Sequence, residues 1–566
     1  MASAPLSNSA LPNPALVTQA AVVRLPRWIL LGLCAIYVLA GFVGRQPWKG
    51  ADITAFGYMR ALQTGDSSWW SPQLLGARPD LDSYLVYWLG AASMEALGPW
   101  LGTALASRLP FMLLLGLTFL CTWYAAYHLA RLPGAQPVAL AFGGEARPVD
   151  YARTLADAAV LALLACLGLP LISHEAAPAL VQLGLSSLLF YAVCAMFTHN
   201  AKAAMTLIMA SGGLVLSGAP ILAVSWCLAA SVLHAMQGTD RHRRWSAILL
   251  AVAVACAILG WSWDVVHWRF DFPQSASQWK DTFKLLIWFT WPCLPMAAWA
   301  LWRWRRQCLR PVAGFHLAWP VIFLAICLLG TLAHQSAQRH LLLTLPALAV
   351  LTAFALPTLK RSVSSLIDWF TLLFFSGCGI VIWVVWISMQ TGFPAKPAKN
   401  VAKLAPEFVH EFQPLLFVLA VVATAAWIAL VVWRTGRNRP ALWKSLVLPA
   451  GGATLGWVLL MTLWLPMLDY ARGYAAQVSK VQAVVPRSEC MMEYGLSTSQ
   501  VTALQHHGGY RLYHLDTDAP CRHLVVNRDA RIAFEALNLL GHWKRVQTIG
   551  KPTSDEGLIL YRRDRI

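Results

Sequence analysis

The chain has 566 residues, 58% of them apolar and only 12% charged, about half the charged share of an ordinary soluble domain. With 28 tryptophans and only 26 acidic residues, it excludes collagen-like, coiled-coil, disulfide-rich secreted and disordered classes and leaves a polytopic membrane protein. The net charge of +18 is gathered in clusters between apolar runs, such as Arg241-His242-Arg243-Arg244 and Arg303-Trp304-Arg305-Arg306. That is the pattern of cytoplasmic loops. No basic stripe interleaved with stacking aromatics accompanies it, so nucleic-acid binding is excluded.

Residues 1–27, rich in Ala, Ser and Pro, read as a disordered cytoplasmic tail. Apolar runs long enough, or nearly so, to cross a hydrocarbon core of about 30 Å follow at 28–44, 108–130, 154–172, 180–197, 203–217, 219–236, 246–262, 285–303, 314–333, 341–358, 367–389, 414–433 and 446–466. The first lacks a clean cleavage site and stays as a span. Ser217-Gly218-Ala219-Pro220 divides two of the runs as a hairpin. With the N-terminus inside, the cytoplasmic segments hold 19 of the 44 Lys and Arg residues and the external connections 12, in the direction of the positive-inside rule. About thirteen spans then place residues 28–467 in the membrane and 468–566 outside. In the first external loop, 45–107, the stretch 83–100 (SYLVYWLGAASMEALGPW) reads as a helix lying in the interface, with a short span as the alternative.

The C-terminal segment 468–566 reads as a small α/β domain. Its strands are Tyr510–His514, His523–Val526, Arg545–Thr548 and Leu558–Tyr561, and its helix is Asp529–Leu540. Ten of the 12 cysteines lie in or beside apolar runs. The other two, Cys490 and Cys521, share the polar segment and suggest a disulfide in an oxidising compartment. No phosphate loop, HExxH or nucleophile elbow occurs there, so the domain is expected to cap the membrane region or handle an acceptor.

Span middles are nearly free of charge and no internal repeat is visible, which argues against an ion-coupled transporter. Ionisable residues gather instead at outer span ends. Asp52, just past the first span, sits where a low-dielectric boundary would raise its pKa and suit it to general-base work; capping of a helix over 53–62 is the plainer reading. Ser173-His174-Glu175 occupies the turn after the third span. Arg339-His340 opens the tenth, and a guanidinium there suits a phosphate, or simply snorkels to headgroups. His267 and Lys49 lie on the same side. No spacing among these residues forms a metal motif, which leaves a divalent cation open.

Taken together these features resemble a known family. A span is followed by an Asp-bearing loop, then by Ser107-Arg108-Leu109-Pro110-Phe111 entering the second span. Arg339-His340-Leu341-Leu342-Leu343-Thr344-Leu345-Pro346 enters a late one, and an external C-terminal domain closes the chain. The combination resembles the polyprenyl-phosphate-sugar-dependent glycosyltransferases of the GT-C fold, which include the protein O-mannosyltransferase-like family and the lipid A aminoarabinose transferase. Ile53 stands where the family has a second acidic residue, and Arg78-Pro79-Asp80-Leu81-Asp82 fills the next interfacial segment.

The resemblance implies an inverting sugar transfer at the periplasmic face of a bacterial inner membrane. The donor would be a polyprenyl-phosphate-linked sugar, and the acceptor an envelope glycolipid, polysaccharide or protein. Asp52 and Glu175 would be the catalytic carboxylates. Arg339, Lys49 and His340 would neutralise the donor phosphate, with His174, Asp82 and His267 as acceptor or cation contacts. A lipid-linked sugar flippase or a non-catalytic assembly protein is the alternative.

Overall fold

The computed structural model describes residues 13–79, 83–263, 265, 272–332, 337–436, 441–537, 543–551, 553 and 556–563. The chain opens with α1 (Arg27–Phe42), followed by α2 (Ala51–Gln63) and α3 (Tyr84–Leu101). Then come α4 (Leu109–Ala130), α5 (Pro148–Ala165), α6 (Pro178–Ala195), α7 (Asn200–Leu216), α8 (Pro220–Ala235) and α9 (Asp240–Ser262). The second half holds α10 (Ala276–Thr290), α11 (Cys293–Arg303), α12 (Phe315–Leu332), α13 (Ala337–Ala355) and α14 (Arg361–Thr391). It ends with α15 (Ala395–Leu404), α16 (Pro414–Thr435), α17 (Lys444–Leu460) and α18 (Leu465–Arg472).

All thirteen apolar runs fall on helices, but not all as single spans. By length and apolarity seven helices qualify among the described residues: α4, α6, α9, α12, α13, α14 and α16. The pairs α10–α11 and α17–α18 qualify only jointly and are bent by 85° and 69°, while α1, α7 and α8 are apolar but shorter. The run expected at 285–303 is therefore broken, because Pro292 cannot donate the amide that a continuous helix needs. The run at 446–466 turns where Pro466 starts α18. The run at 154–172 ends at Ala165, and Gly168 and Pro170 leave only a separate turn, Leu169–Ile172. Helix α3 is not among the helices apolar enough to cross, as the interfacial reading requires.

The centre of the membrane domain is α6 and α13, each with 89% of its apolar window buried, whereas α14 and α16, at 22% and 11%, turn outward. Helix α4 packs on α5 and α6, and α13 on α5, α11 and α12. Helix α5 carries Asp150, Arg153 and Asp157 yet is almost wholly enclosed by protein.

The N-terminal tail corrects the sequence reading. From residue 13 on it is ordered against the loops that follow α4, α11 and α16. The Ala15 and Val17 carbonyls accept the Val138 and Ala146 amides, both at 3.0 Å. Gln307 donates to Asn13 Oδ1 at 3.0 Å, and Trp443 Nε1 to the Val23 carbonyl at 2.7 Å. Ala15, Val17 and Val22 are buried, so apolar side chains hidden in a low-complexity composition supply the anchoring.

Beyond α18 lie α19 (Ala475–Gln482), α20 (Thr498–Ala503) and α21 (Arg531–Ala536), with five strands: β1 (Met491–Tyr494), β2 (Leu512–His514), β3 (His523–Asn527), β4 (Lys544–Gly550) and β5 (Gly557–Arg562). The sheet order is β2-β1-β3-β5-β4. Strand β1 is parallel to both neighbours, Met491 facing Leu512 and His523, and the β3–β5 and β5–β4 pairs are antiparallel. Strand β1 went unrecognised in the sequence because it is four residues long and continuous with a polar loop. The expected helix Asp529–Leu540 is shorter, with residues 538–540 outside the described set. Cys490 and Cys521 are joined by a disulfide beside the starts of β1 and β3. This domain rests on α2, where Thr54 and Ser499 share a hydroxyl hydrogen bond at 2.8 Å.

Candidate active site

Gly50 adopts φ +96°, a left-handed region that favours glycine, and so turns the chain directly into α2. Asp52 then lies in the first turn of the helix rather than before it, where the helix dipole favours a negative charge. It is not an N-cap. Its carboxylate is buried and fully engaged. Oδ2 accepts from Arg45 at 2.9 Å, from the Trp48 amide at 3.1 Å and from Arg108 at 3.4 Å, and Oδ1 accepts the Ala176 amide at 3.0 Å.

Burial alone would raise the Asp52 pKa, but the two guanidiniums and the two amides outweigh it and hold the carboxyl below its usual range. The expectation of a raised pKa is thus overturned. Asp52 is an ionised anchor for two arginines, and a weak base.

Arg45 also donates to the His174 carbonyl at 2.6 Å. Arg108 donates to the carbonyls of Arg45 and Phe42. Both guanidiniums are nearly inaccessible, at 2% exposure, which only a buried carboxylate makes tolerable. Trp48 Nε1 donates to Asp469 Oδ1 at 2.6 Å, and the guanidiniums of Arg45 and Arg472 lie 4.3 and 4.9 Å from its ring centroid. Sequence reasoning did not place Arg45, Arg108 or Asp469 in a site. The available signal was the excess of arginine in the first external loop, which ran against the inside bias of the other basic residues.

Glu175 sits one residue before the amide that binds Asp52. Its carboxylate makes no hydrogen bond to any described residue, and burial followed by the Asp52 charge pushes its pKa up to about 7. The pair thus divides: one carboxylate is locked in the ionised state, and its neighbour is poised to exchange a proton near neutrality.

Arg339, in the first turn of α13, donates its Nε to Gln182 Oε1 at 2.7 Å. Its two terminal nitrogens make no hydrogen bond to any described residue. Gln182 in turn donates to the Ser217 carbonyl at 2.6 Å, an oxygen that also accepts Ser83 at 2.8 Å. Asp52 and Arg339 are therefore tied to one segment, at Ala176 and Gln182. Two extended and four helical steps separate those residues, roughly 12 Å of chain.

Other expected contacts are corrected. Lys49 Nζ pairs with Glu556 of the C-terminal domain at 2.6 Å, so its charge docks that domain. His174 is buried, with Nε2 against the Tyr37 carbonyl at 3.0 Å and Nδ1 against Ser173 at 3.3 Å. Burial pushes its pKa down to about 3, and its ring packs so closely that a Cβ on Gly41 would lie 2.0 Å away. It is a neutral packing residue. His340 is buried against α12, where a Cβ on Gly330 would come within 2.8 Å of its ring. Asp82 and His267 lie outside the described residues. For a divalent cation, no group of three or more His, Cys, Asp or Glu among the described residues could hold one. Among the described residues, Asp52 and Asp469 are already taken by N–H donors.

Two solved structures match the fold of this chain: ArnT from Cupriavidus metallidurans bound to undecaprenyl phosphate, and ArnT from the same organism in the apo state. Each aligns with a TM-score of 0.59 and 12% identity, over 94% of this chain and 97% of that one. The chain has the GT-C fold in its ArnT-like form. The likeness spans the membrane helices and the C-terminal domain alike, and at 12% identity it is one of backbone architecture. No protein-family model and no curated protein matches the chain.

Proposed function

We propose that this chain is a membrane glycosyltransferase that moves a sugar from a polyprenyl-phosphate carrier to an envelope acceptor. Residues 28–467 form the transferase domain of a bacterial inner-membrane protein with its N-terminus cytoplasmic. Residues 468–566 form a periplasmic domain on the same face as the site. The observation that carries this reading is the convergence, on one short stretch, Glu175–Gln182, of a carboxylate pair and a guanidinium whose terminal nitrogens are unpaired among the described residues. An undecaprenyl phosphate-bound ArnT of the same fold supports the donor class.

In the reaction, the acceptor oxygen forms a bond to the anomeric carbon as the bond from that carbon to the phosphate oxygen breaks. Glu175 takes the acceptor proton, and polyprenyl phosphate leaves with the electron pair. Arg339 neutralises the leaving phosphate through its terminal nitrogens. Asp52 acts indirectly, holding Arg45 and Arg108 in place and keeping Glu175 beside a fixed negative charge. Displacement in one step inverts the anomeric centre.

The test uses purified protein in vesicles with a synthetic polyprenyl-phosphate-linked sugar and envelope extract as acceptor, followed by mass spectrometry. Release of free polyprenyl phosphate, with a matching mass gain on an acceptor and loss of both in Arg339→Ala, is expected. An intact donor that is merely moved between leaflets would overturn the assignment in favour of a flippase.

A further inference from the structure

A groove of about 790 Å³ runs along the outer surface of the bundle between α1 and α4 and reaches the start of α5. Leu31 and Leu39 on one side and Leu113 and Leu120 on the other are exposed along it. From Arg27 to Leu39 the wall rises about 18 Å at 1.5 Å per residue, more than half of a hydrocarbon core of about 30 Å. An apolar slot of this length and shape suits one extended acyl chain.

Three guanidiniums gather at the end of the groove where α1 begins: Arg24, Arg27 and, from the second turn of α5, Arg153. Arg24 pairs with Asp150 at 3.1 Å. Asp157, the carboxylate in the groove, accepts Trp123 Nε1 at 2.8 Å. Arg27 and Arg153 make no ion pair or hydrogen bond with any described residue. Arg27 and Arg153 therefore stand, among the described residues, as two unpaired guanidiniums at the mouth of an apolar slot. Helix α1 carries the chain about 24 Å from this mouth towards the Arg45–Asp52 pair, so the mouth lies at the opposite end of the membrane domain from the candidate active site.

We propose that the groove binds an anionic glycerophospholipid of the leaflet at the α1 N-terminal end. One acyl chain lies between α1 and α4, and the phosphodiester rests on Arg27 and Arg153. The anionic phosphodiester matches these unpaired guanidiniums, whereas a zwitterionic lipid would bring an ammonium group into the same basic cluster. Guanidiniums grip phosphate oxygens bidentately, and basic pockets between spans on the cytoplasmic side suit such headgroups. The inference is independent of what the chain transfers, because it concerns the other end of the membrane domain.

The test reconstitutes the full chain in vesicles of four parts phosphatidylcholine to one part phosphatidylglycerol, re-extracts it in mild detergent and counts retained lipids by native mass spectrometry. Enrichment of phosphatidylglycerol over its vesicle share, at most about fivefold in this mixture, is expected, and it should fall back to about that share in Arg27→Gln/Arg153→Gln, because two arginines on an anionic headgroup carry roughly thirtyfold in affinity. Arg303→Gln/Arg306→Gln, in another basic loop, should keep it. Equal retention of the two lipids, or unchanged enrichment in the Arg27/Arg153 variant, would overturn the proposal. So would displacement of phosphatidylglycerol by a trace of added undecaprenyl phosphate, which would make the groove a carrier-lipid site. Thermal unfolding of both variants in detergent separates a lost site from a lost fold, and an Arg27→Lys/Arg153→Lys variant with enrichment restored keeps the proposal testable if the glutamine variant unfolds.

Discussion

The Ala176 amide donates to Asp52 Oδ1 at 3.0 Å, and this one bond sets Glu175 beside a carboxylate that two buried arginines keep ionised. The turn before α6 and the first turn of α2 thereby become one electrostatic unit.

Asp52→Asn should be structurally expensive. It leaves Arg45 and Arg108 buried without a full counter-charge, a loss of about 3–5 kcal/mol by comparison with other broken buried pairs. Thermal unfolding in detergent should show a clearly lowered midpoint, alongside lost transfer. A variant as stable as the parent but inactive would instead mean that Asp52 itself touches the reacting atoms.

Glu175 predicts opposite pH trends for activity and stability. An acid whose pKa is raised from about 4.5 to about 7 on folding contributes stability that is complete below pH 4.5. That contribution is lost as pH rises through 7. Turnover runs the other way, because only the deprotonated carboxylate accepts a proton, so donor consumption should rise with an apparent pKa near 7. Glu175→Gln should abolish the limb and flatten the stability trend. An unchanged acid limb in that variant would assign the proton to another group.

Gln182 positions Arg339 by accepting its Nε at 2.7 Å. Gln182→Ala removes a hydrogen bond to a charged group, worth about 1.5 kcal/mol, and should lower kcat and kcat/KM alike, by roughly tenfold, because Arg339 acts on charge that grows as the leaving bond breaks. A raised donor KM with kcat unchanged would indicate a role in donor binding alone.

The Cys490–Cys521 bridge closes a loop with a sequence separation of 31 and should stabilise the C-terminal domain by about 3.7 kcal/mol in the chain-entropy model. Cys490→Ser/Cys521→Ser should lower the unfolding midpoint of that domain. Thiol labelling of the non-reduced parent should leave both positions unmodified. A reporter fused after residue 470 should be active only outside the cytoplasm, and activity inside would reverse the orientation proposed for the whole chain.

Much of the fold was legible in the sequence because lipid imposes a coarse rule. A helix that crosses a bilayer must be continuously apolar, so composition and run length mark it without any knowledge of its neighbours. Breaks at Pro292 and Pro466 follow from the residues too, once proline is weighed as a missing donor. The helix over 83–100 and most strands of the C-terminal sheet were readable for similar local reasons. So were Asp52, Glu175 and Arg339 as polar residues at span ends.

What each of those residues does was decided only by the tertiary structure. Asp52 looked like a base because its position along the chain predicts desolvation, but Arg45 from the same loop and Arg108 from the head of α4 reverse the sign of its pKa shift. Lys49 looked available until Glu556, more than five hundred residues later, took its charge. His174 looked like a contact until Gly41 let α1 press against its ring. Charge state and availability depend on what lies within a few ångströms, and those neighbours come from distant parts of the chain. A linear sequence carries polarity and length; the partners that settle each charge are chosen by packing.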